Sequence, residues 1–387
     1  MADRYPRAFW ALCAARLTNR VGAFSLAFLT LLLVQRGHLS VPRAGLVAGA
    51  FSAATVPSRL LGGRLADRWS ARGTVLLGLL LTAAAQLALC AARGAPALAG
   101  AAVLLGLAFE VYEPACDALV VAHTTAENRS AAYTLLGVAI EAGSLAAGLL
   151  GAVLAGAGVG RLFLADAASC LLAAAIVAVA VPPCTVRPAT GRGNGGRGSG
   201  GRSRSRVVDR RLLRLTALAC LFTTGYFALL SVLPLTMARR GLAPGGVGLV
   251  LAVSSAVGLA LVPPVLRLLR GRSDRAVLRW AYLVMAGGFV LTGVARSLPG
   301  FLAAAAVWTV GDLLVLGRAQ AVVAERVAPA DTASAMAFYG LSWSVGGLLA
   351  PVAGTLLLSR TGPACTWAAF AALLTVPALM TGRAARP

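Results

Sequence analysis

The chain has 387 residues, of which 59% are hydrophobic and 12% charged, and its mean hydropathy is +0.82. Because soluble globular domains carry roughly 25% charged residues, this composition excludes a soluble domain and indicates an integral membrane protein. The formal net charge of +22 would suit a nucleic-acid-binding protein. The basic residues are all Arg, and most of them lie between apolar runs instead of forming one basic surface, so we predict no nucleic-acid partner.

Apolar runs long enough to cross a bilayer recur along the whole chain. They predict an all-α membrane protein with twelve transmembrane helices of about 20 to 25 residues each. Arg residues concentrate at the termini and in the even-numbered connections, so the positive-inside rule places both termini in the cytoplasm. The exclusive use of Arg over Lys indicates a GC-rich bacterial genome, and therefore a bacterial inner (plasma) membrane. The predicted helices begin near Ala8, Arg43, Thr74, Ala97, Ala131, Arg161, Leu212, Gly246, Val277, Pro299, Ala333 and Ala364.

Two basic residues lie one helical turn apart in the first predicted helix, Arg16 and Arg20, with Asn19 between them. The fourth predicted helix, residues 97 to 122, contains the acidic residues Glu110, Glu113 and Asp117 in an otherwise apolar run. On a continuous helix, this spacing places the three carboxylates within an arc of about 60°. Since charge is costly in lipid, we expect this acidic stripe to face one neighbour or cavity and to serve a function.

Two further acidic residues lie in the fifth and sixth predicted helices. Glu141 lies among glycines that mark a close helix interface. It is equally consistent with a group that titrates with the access state and with one that faces the rim of a cavity. Asp166 lies near the predicted outer end of the sixth helix, where we expect a structural cap or an interfacial role.

A Gly, Arg and Ser-rich segment, residues 182–211, divides the chain into an N-terminal unit (1–181) and a C-terminal unit (212–387). Such a composition is typical of a flexible linker, and its Arg residues suit anionic lipid head groups on the cytoplasmic side. The two units repeat weakly: a shift of 202 residues places Glu110 on Asp312. Two parallel six-helix bundles are an architecture suited to alternating access, with a site between them.

The seven cysteines are scattered singly at positions 13, 90, 116, 170, 184, 220 and 365, without a CxxC pair or a histidine cluster. We interpret them as small buried apolar residues and predict no metal site and no cofactor. Nucleophile, base and orienting group do not recur at a usable spacing, and no phosphate-binding Gly-rich loop follows a strand. The sequence therefore predicts neither an enzyme nor an ATP-driven pump.

The connection after the second predicted helix reads GRLADRWSAR, from Gly63 to Arg72. Together with the repeat and the twelve spans, it resembles the cytoplasmic loop motif of the major facilitator superfamily, although Ser70 and Ala71 replace a usual Gly and basic residue. The resemblance implies that Asp67 engages the N-terminus of the eleventh helix in one access state, near residues 331–333. It also implies that Arg68 and Arg72 tie the loop to neighbouring helix ends. A carboxylate is favoured at the positive end of a helix dipole.

The first helix, with its RLTNRVG run from Arg16, resembles the opening helix of bacterial drug exporters in that superfamily. In that fold, helices 1, 4, 7 and 10 line a central cavity, so the Arg pair would face the acidic stripe. We expect Glu113 and Asp117 to serve mainly as counter-ions of Arg16 and Arg20, since unpaired buried charge is costly.

That leaves Glu110 and Asp312 as the candidates for proton coupling or for binding a cationic group. A buried carboxylate can hold either a proton or a cation.

The chain departs from the drug–proton antiporter pattern at two places. The fifth helix reads Ala147-Gly148 where such antiporters carry a Gly-Pro pair, and the fourth helix has no Arg. Arg318, in the tenth helix, could supply the missing positive charge.

The sequence favours a monomeric secondary transporter that exports small amphipathic or cationic compounds in exchange for protons. An importer or uniporter of a metabolite with the same fold is an alternative. Sugar uptake is less favoured, since the cavity helices look short of paired amide and aromatic residues. A membrane receptor or assembly partner that does not transport is the alternative of another class.

Overall fold

The computed structural model describes residues 5–23, 25–125, 127–156, 158–183, 210–268, 273–324 and 332–382. Every regular element in these ranges is a helix. The helices are α1 (Arg7–Val21), α2 (Ser25–Gln35), α3 (Val41–Arg68), α4 (Ala71–Ala91), α5 (Ala95–Phe109), α6 (Glu113–Ala122), α7 (Arg129–Ala155), α8 (Val159–Ala180), α9 (Arg210–Ser231), α10 (Leu233–Arg239), α11 (Gly245–Leu268), α12 (Asp274–Val294), α13 (Leu298–Ala324) and α14 (Thr332–Gly382).

Nine helical stretches in the described ranges are long and apolar enough to cross a membrane. The last of them, Tyr339–Met380, has 42 residues, about twice the length that one crossing needs. Each predicted span begins within three residues of a helix start or of the break in α14. The all-helical membrane class is therefore confirmed, whereas the count of twelve and the side of the termini stay predictions.

The fourth predicted span is not one continuous helix, because α5 ends at Phe109 and α6 begins at Glu113. Pro114 causes this break, since its ring clashes with the carbonyl group four residues earlier, that of Glu110, and its nitrogen has no hydrogen to donate. The break also allows close packing, because Gly62 of α3 lies against the backbone of Val111. The 60° arc predicted for three carboxylates on a regular helix was therefore wrong.

Other long segments break in a similar way. Helix α1 is capped by Gly22, and α2 begins three residues later. Helices α9 and α10 are separated by Val232, with Pro234 in the first turn of α10. Within α14, Gly362 adopts a φ of 80° just before Pro363, a backbone conformation that residues with a Cβ atom rarely adopt.

Helices α1 to α8 pack mainly among themselves, through pairs such as α4–α8, α1–α7 and α3–α5. Helices α9 to α14 do likewise, through α9–α14, α12–α13 and α12–α14. Two extensive interfaces join the groups, α7–α11 and α3–α14, and α2 adds contacts to α9 and α10. The boundaries predicted for two bundles and a linker stay predictions, since most of residues 182–211 lie outside the described ranges.

The interfaces that join the groups depend on small residues. A Cβ atom added to Gly148 of α7 would lie 2.7 Å from the Cα of Ala252 and from the carbonyl oxygen of Gly248, both in α11. A Cβ at Gly49 of α3 would lie 2.7 Å from a methyl group of Val352 in α14. The helices can approach this closely only because no side chains separate them.

A hydrogen bond also joins the two groups of helices. Thr30 Oγ1 of α2 donates to the carbonyl oxygen of Ser231, the last residue of α9, at 2.8 Å. Both residues are buried. These contacts all lie at the end of the molecule where α3 and α11 begin and α7 ends. We call this end the sealed end. The Gly63–Arg72 connection lies at the opposite end.

Candidate functional site

A cavity of about 600 Å³ lies between the two groups of helices. Its wall includes residues from α1, α2 and α4 to α9, and from α11, α13 and α14. Five carboxylates and one guanidinium of the described residues contribute to it. These are Glu110, Glu113, Glu141, Asp166, Asp312 and Arg20.

Arg16 and Glu113 form the most complete ion pair near this cavity. The two terminal nitrogens of Arg16 donate to the two carboxylate oxygens of Glu113 at 2.8 and 3.0 Å, a bidentate geometry. The Arg16 guanidinium also lies over the ring of Tyr112, 5.4 Å from its centroid. The predicted pairing of Arg16 in α1 with Glu113 in α6 is therefore present in the structure, and Glu113 neutralises the charge of Arg16.

Glu110 has a partner that the sequence analysis did not identify. Its carboxylate lies 3.8 Å from the guanidinium of Arg59 in α3. Its backbone N–H donates to Ser58 Oγ at 3.0 Å, and Ser58 is fully buried. Ser58 directly follows Pro57, which lies inside α3. The sequence shows that Arg59 lies within a predicted span and so needs a counter-ion. It does not show that this counter-ion is Glu110, because that depends on how α3 packs against the break between α5 and α6.

Asp117 does not join these groups. It is exposed, does not line the cavity, and makes no ion pair with any side chain that the structure describes. The expected pairing of Asp117 with Arg20 was therefore wrong. Arg20 donates through Nε to Ser144 Oγ of α7 at 2.8 Å instead. It does so because α1 lies directly on Gly143, where an added Cβ would meet the Cβ of Arg20 at 2.8 Å.

Asp166 lies inside α8 and not at its end, with 3% of its surface exposed, so the predicted cap or interfacial role was wrong. Gln86 of α4, also buried, donates to its carboxylate at 2.6 Å. The thiol of Cys170 lies 3.7 Å from the other carboxylate oxygen. Asn19 donates to that sulfur at 3.3 Å and accepts from the Tyr112 hydroxyl at 2.9 Å. A chain of polar contacts thus runs from α4 and α8 through α1 to the ring beneath Arg16.

Two acidic residues on the wall have no such partners in the part of the chain that the structure describes. Asp312 of α13 has a buried carboxylate oxygen, Oδ1, that accepts no hydrogen bond. Glu141 of α7 makes no hydrogen bond or ion pair with the residues described, and it lines the same cavity as Asp312. The cavity thus brings together Glu110, Glu113, Glu141 and Asp312 from the predicted set. The side chain of Arg318 lies outside the described residues.

Aromatic side chains form much of the remaining wall, which corrects the expectation that the cavity helices are short of them. Tyr226 and Phe227 of α9 and Trp343 of α14 pack edge to face, with ring centroids 5.4 to 6.0 Å apart. The sequence carried a weak signal for this cluster, since adjacent aromatic residues occur at 226 and 227. The wall also includes Phe28, Phe109, Tyr112 and Trp308.

The loop motif lies at the end opposite the sealed end. Arg72 donates to the carbonyl oxygen of Ala178, in the last turn of α8, at 2.7 Å, so it ties the loop to a neighbouring helix end. Asp67 and Arg68 are exposed, and a Cβ added to Gly63 would meet nothing within 4 Å. The proposed partner of Asp67 begins at residue 331, which lies outside the described residues. Within those residues, no group of three or more His, Cys, Asp and Glu side chains could hold a metal ion.

Comparison with known proteins identifies the family. The model of the Major Facilitator Superfamily matches residues 12–317 and 215–384. The chain belongs to the Major Facilitator Superfamily. Among curated relatives, the multidrug resistance protein MdtH of Aeromonas hydrophila is 26% identical over 304 residues, which cover 77% of this chain and 74% of that protein. The uncharacterised MFS-type transporter YhjO of Bacillus subtilis is 25% identical over 364 residues, 89% of this chain and 85% of that one.

Solved structures agree on the fold. A POT family transporter in complex with 5-aminolevulinic acid superposes with a TM-score of 0.78, covering 97% of this chain and 95% of that one at 12% identity. A point mutant of the nucleoside transporter NupG superposes with a TM-score of 0.77, covering 96% of this chain and 98% of that one at 13% identity. The chain is therefore a multi-pass membrane protein with a transporter fold, which implies a membrane environment and small-molecule substrates.

Proposed function

We propose that this transporter exports small amphipathic or cationic compounds across a bacterial inner membrane in exchange for protons, by alternating access. In this proposal the monomer has twelve spans, in bundles 1–181 and 212–387 joined by a cytoplasmic linker. The relatives that carry the name multidrug resistance protein support the export direction.

The carboxylate pair on the cavity wall carries the proposal. Asp312 and Glu141 come from different helix groups, and neither has a counter-ion among the described residues. Two like charges that share a cavity favour the state in which one of them holds a proton. A cationic group that enters the cavity would replace that proton, so the pair can exchange one for the other. Glu110 is a weaker candidate than the sequence suggested, since Arg59 lies beside it.

The packing between the helix groups supports an access cycle. The contacts at the sealed end close the cavity there, through glycines of α7, α3 and α11. Helix α8 ends and helix α9 begins at the other end, so with cytoplasmic termini this structure represents a state closed to the outside. Export would require the glycine contacts to separate while the loop motif forms its contacts on the cytoplasmic side.

The first experiment identifies a substrate. Cells with and without the gene are compared for growth in a panel of toxic amphipathic, cationic and zwitterionic compounds. The compound with the largest difference is then followed in everted membrane vesicles energised by a proton gradient. Export predicts uptake into these vesicles that stops when a protonophore collapses the gradient. Uptake that persists without a gradient contradicts proton coupling, and movement in the opposite direction supports an importer.

The second experiment tests the carboxylates. Asp312→Asn and Glu141→Gln should each abolish gradient-driven accumulation while leaving exchange of labelled for unlabelled substrate measurable. Glu127→Gln removes an exposed carboxylate away from the cavity and is the matched control. If the Asp312→Asn and Glu141→Gln variants both retain full gradient-driven transport, this carboxylate pair does not couple protons.

A further inference from the structure

The cavity presents a guanidinium edge as well as carboxylates. Arg20 is held through its Nε by Ser144, so its side chain is fixed against α7. Its two terminal nitrogens make no hydrogen bond or ion pair with the described part of the chain. An arginine held at Nε keeps those nitrogens as parallel donors, a geometry that matches the two oxygens of a carboxylate.

The opposite charge is available in the same cavity. The Oδ1 atom of Asp312 is buried without a hydrogen-bond donor, and Glu141 also lines the wall. Arg20, Glu141, Asp312 and Tyr226 all line this one cavity, so a single bound molecule can meet both signs of charge. A buried acceptor without a donor costs free energy, which a ligand ammonium group would recover.

An apolar surface lies beside these charges. Tyr226, Phe227 and Trp343 pack edge to face, and all three line the same cavity as Arg20, Glu141 and Asp312. Aromatic side chains offer large, rigid contact area to a flat ring and attract cations to their faces. The cluster therefore suits a planar apolar body attached to a charged group.

We infer that the cavity selects aromatic zwitterions, in which an ammonium group faces Asp312 and Glu141, a carboxylate faces Arg20, and a flat ring lies on Tyr226, Phe227 and Trp343. The inference rests on the proposal that the cavity is the substrate site, but it does not depend on proton coupling. It assigns Arg20 and Trp343 to substrate selection.

A ligand with one charge would satisfy this wall only in part. A simple organic cation would neutralise the carboxylates but would meet the positive charge of Arg20 without offering it an acceptor. A simple anion would bind Arg20 and be repelled by Asp312 and Glu141. A ligand that carries both charges pairs with all of these groups, and discrimination then comes from the groups that a partial ligand leaves unpaired.

The test uses four probes that share one indole ring. Tryptophan carries both charges, tryptamine only the amine, indole-3-propionic acid only the carboxylate, and 3-methylindole neither. Binding of each probe to the full chain in lipid nanodiscs is measured by equilibrium dialysis, without any proton gradient. We expect tryptophan to bind about tenfold more tightly than either singly charged probe, because it makes an additional charge-assisted hydrogen bond to the cavity wall.

Variants assign the preference to residues. Arg20→Gln should abolish the advantage of tryptophan over tryptamine but retain its advantage over indole-3-propionic acid. Asp312→Asn should abolish the advantage of tryptophan over indole-3-propionic acid but retain its advantage over tryptamine. Arg20→Lys keeps the charge and should retain part of the carboxylate preference, while Trp343→Leu should weaken all four probes alike. The exposed residues Arg161 and Glu127 supply the matched controls, Arg161→Gln and Glu127→Gln.

Several results would overturn the inference. Tryptamine binding as tightly as tryptophan to the unmodified chain would make the cavity a simple cation site. Equal weakening of all probes by Arg20→Gln would give that residue a purely structural role, and the absence of binding by all four probes would exclude this ligand class. Failure of proton coupling is separate, since it would appear only in gradient-driven transport and would leave the binding preference intact.

Discussion

Two hydrogen bonds join Arg16 to Glu113, at 2.8 and 3.0 Å, and tie α1 to the first residue of α6. The side chains are 14% and 26% exposed, so most of the pair is removed from water. Since α6 begins only after the break at residues 110–112, this pair fixes the position of α6 relative to α1. The pair therefore stabilises the cavity wall and does not serve as a substrate-binding group.

We expect Arg16→Gln to lower the thermal unfolding midpoint in detergent. Removing one partner of a buried pair costs roughly 3–5 kcal/mol, and the residual exposure places this pair near or below the lower end. Adding Glu113→Gln should restore part of the loss, because no buried charge then lacks a counter-ion. Arg161→Gln, at an exposed position of α8, is the control. Additive losses in the double variant would show that the two side chains act independently.

Gly148→Leu should open the sealed end. A Leu side chain cannot fit where even a Cβ would lie 2.7 Å from Ala252 Cα, so α7 and α11 must separate. Spin labels at Val153 and Ala243, introduced into a chain without its native cysteines, should move apart in pulsed electron resonance measurements. Gly100→Leu is the control, since a Cβ at Gly100 meets nothing within 4 Å. An unchanged distance in Gly148→Leu would mean that this contact does not close the cavity.

Asp166→Leu should destabilise the protein more than Asp166→Asn does. Asn keeps an oxygen that can accept from Gln86, whereas Leu leaves the buried Gln86 amide without that acceptor. A buried polar group that loses its partner costs about 1–3 kcal/mol. The measurement is the thermal unfolding midpoint, with Glu127→Leu as an exposed control. Equal midpoints for Asp166→Leu and the unmodified chain would show that the polar chain through α4, α8 and α1 is dispensable for folding.

Asp67→Asn should slow transport without lowering stability. Asp67 is exposed and makes no ion pair with the described residues in this structure, where the opposite end is sealed. If it engages a helix end only in the other access state, its loss should reduce the transport rate by about fivefold or more, as for a coupling of ~1 kcal/mol or more. Glu127→Gln is again the control. A lowered unfolding midpoint for Asp67→Asn would instead indicate a contact made in the present state.

The sequence by itself determined the class, the helix starts and the family. Apolar runs and their Arg flanks are local properties that follow from the thickness and polarity of a bilayer, so each predicted start lies close to an observed one. The motif from Gly63 to Arg72 is also local, and the resemblance that it carries agrees with the family match. The pairing of Arg16 with Glu113 could be anticipated because the cost of buried charge demands a counter-ion.

Only the tertiary structure decided which charges meet. Pro114 breaks the fourth span, which turns one predicted stripe into three separate environments: Glu110 beside Arg59, Glu113 on Arg16, and Asp117 exposed. The partners come from helices far apart in the chain, and their approach depends on close contacts such as Gly62 against Val111 and Gly143 against Arg20. Whether a buried charge is neutralised depends on the path of neighbouring helices, and a sequence pattern carries little information about that path.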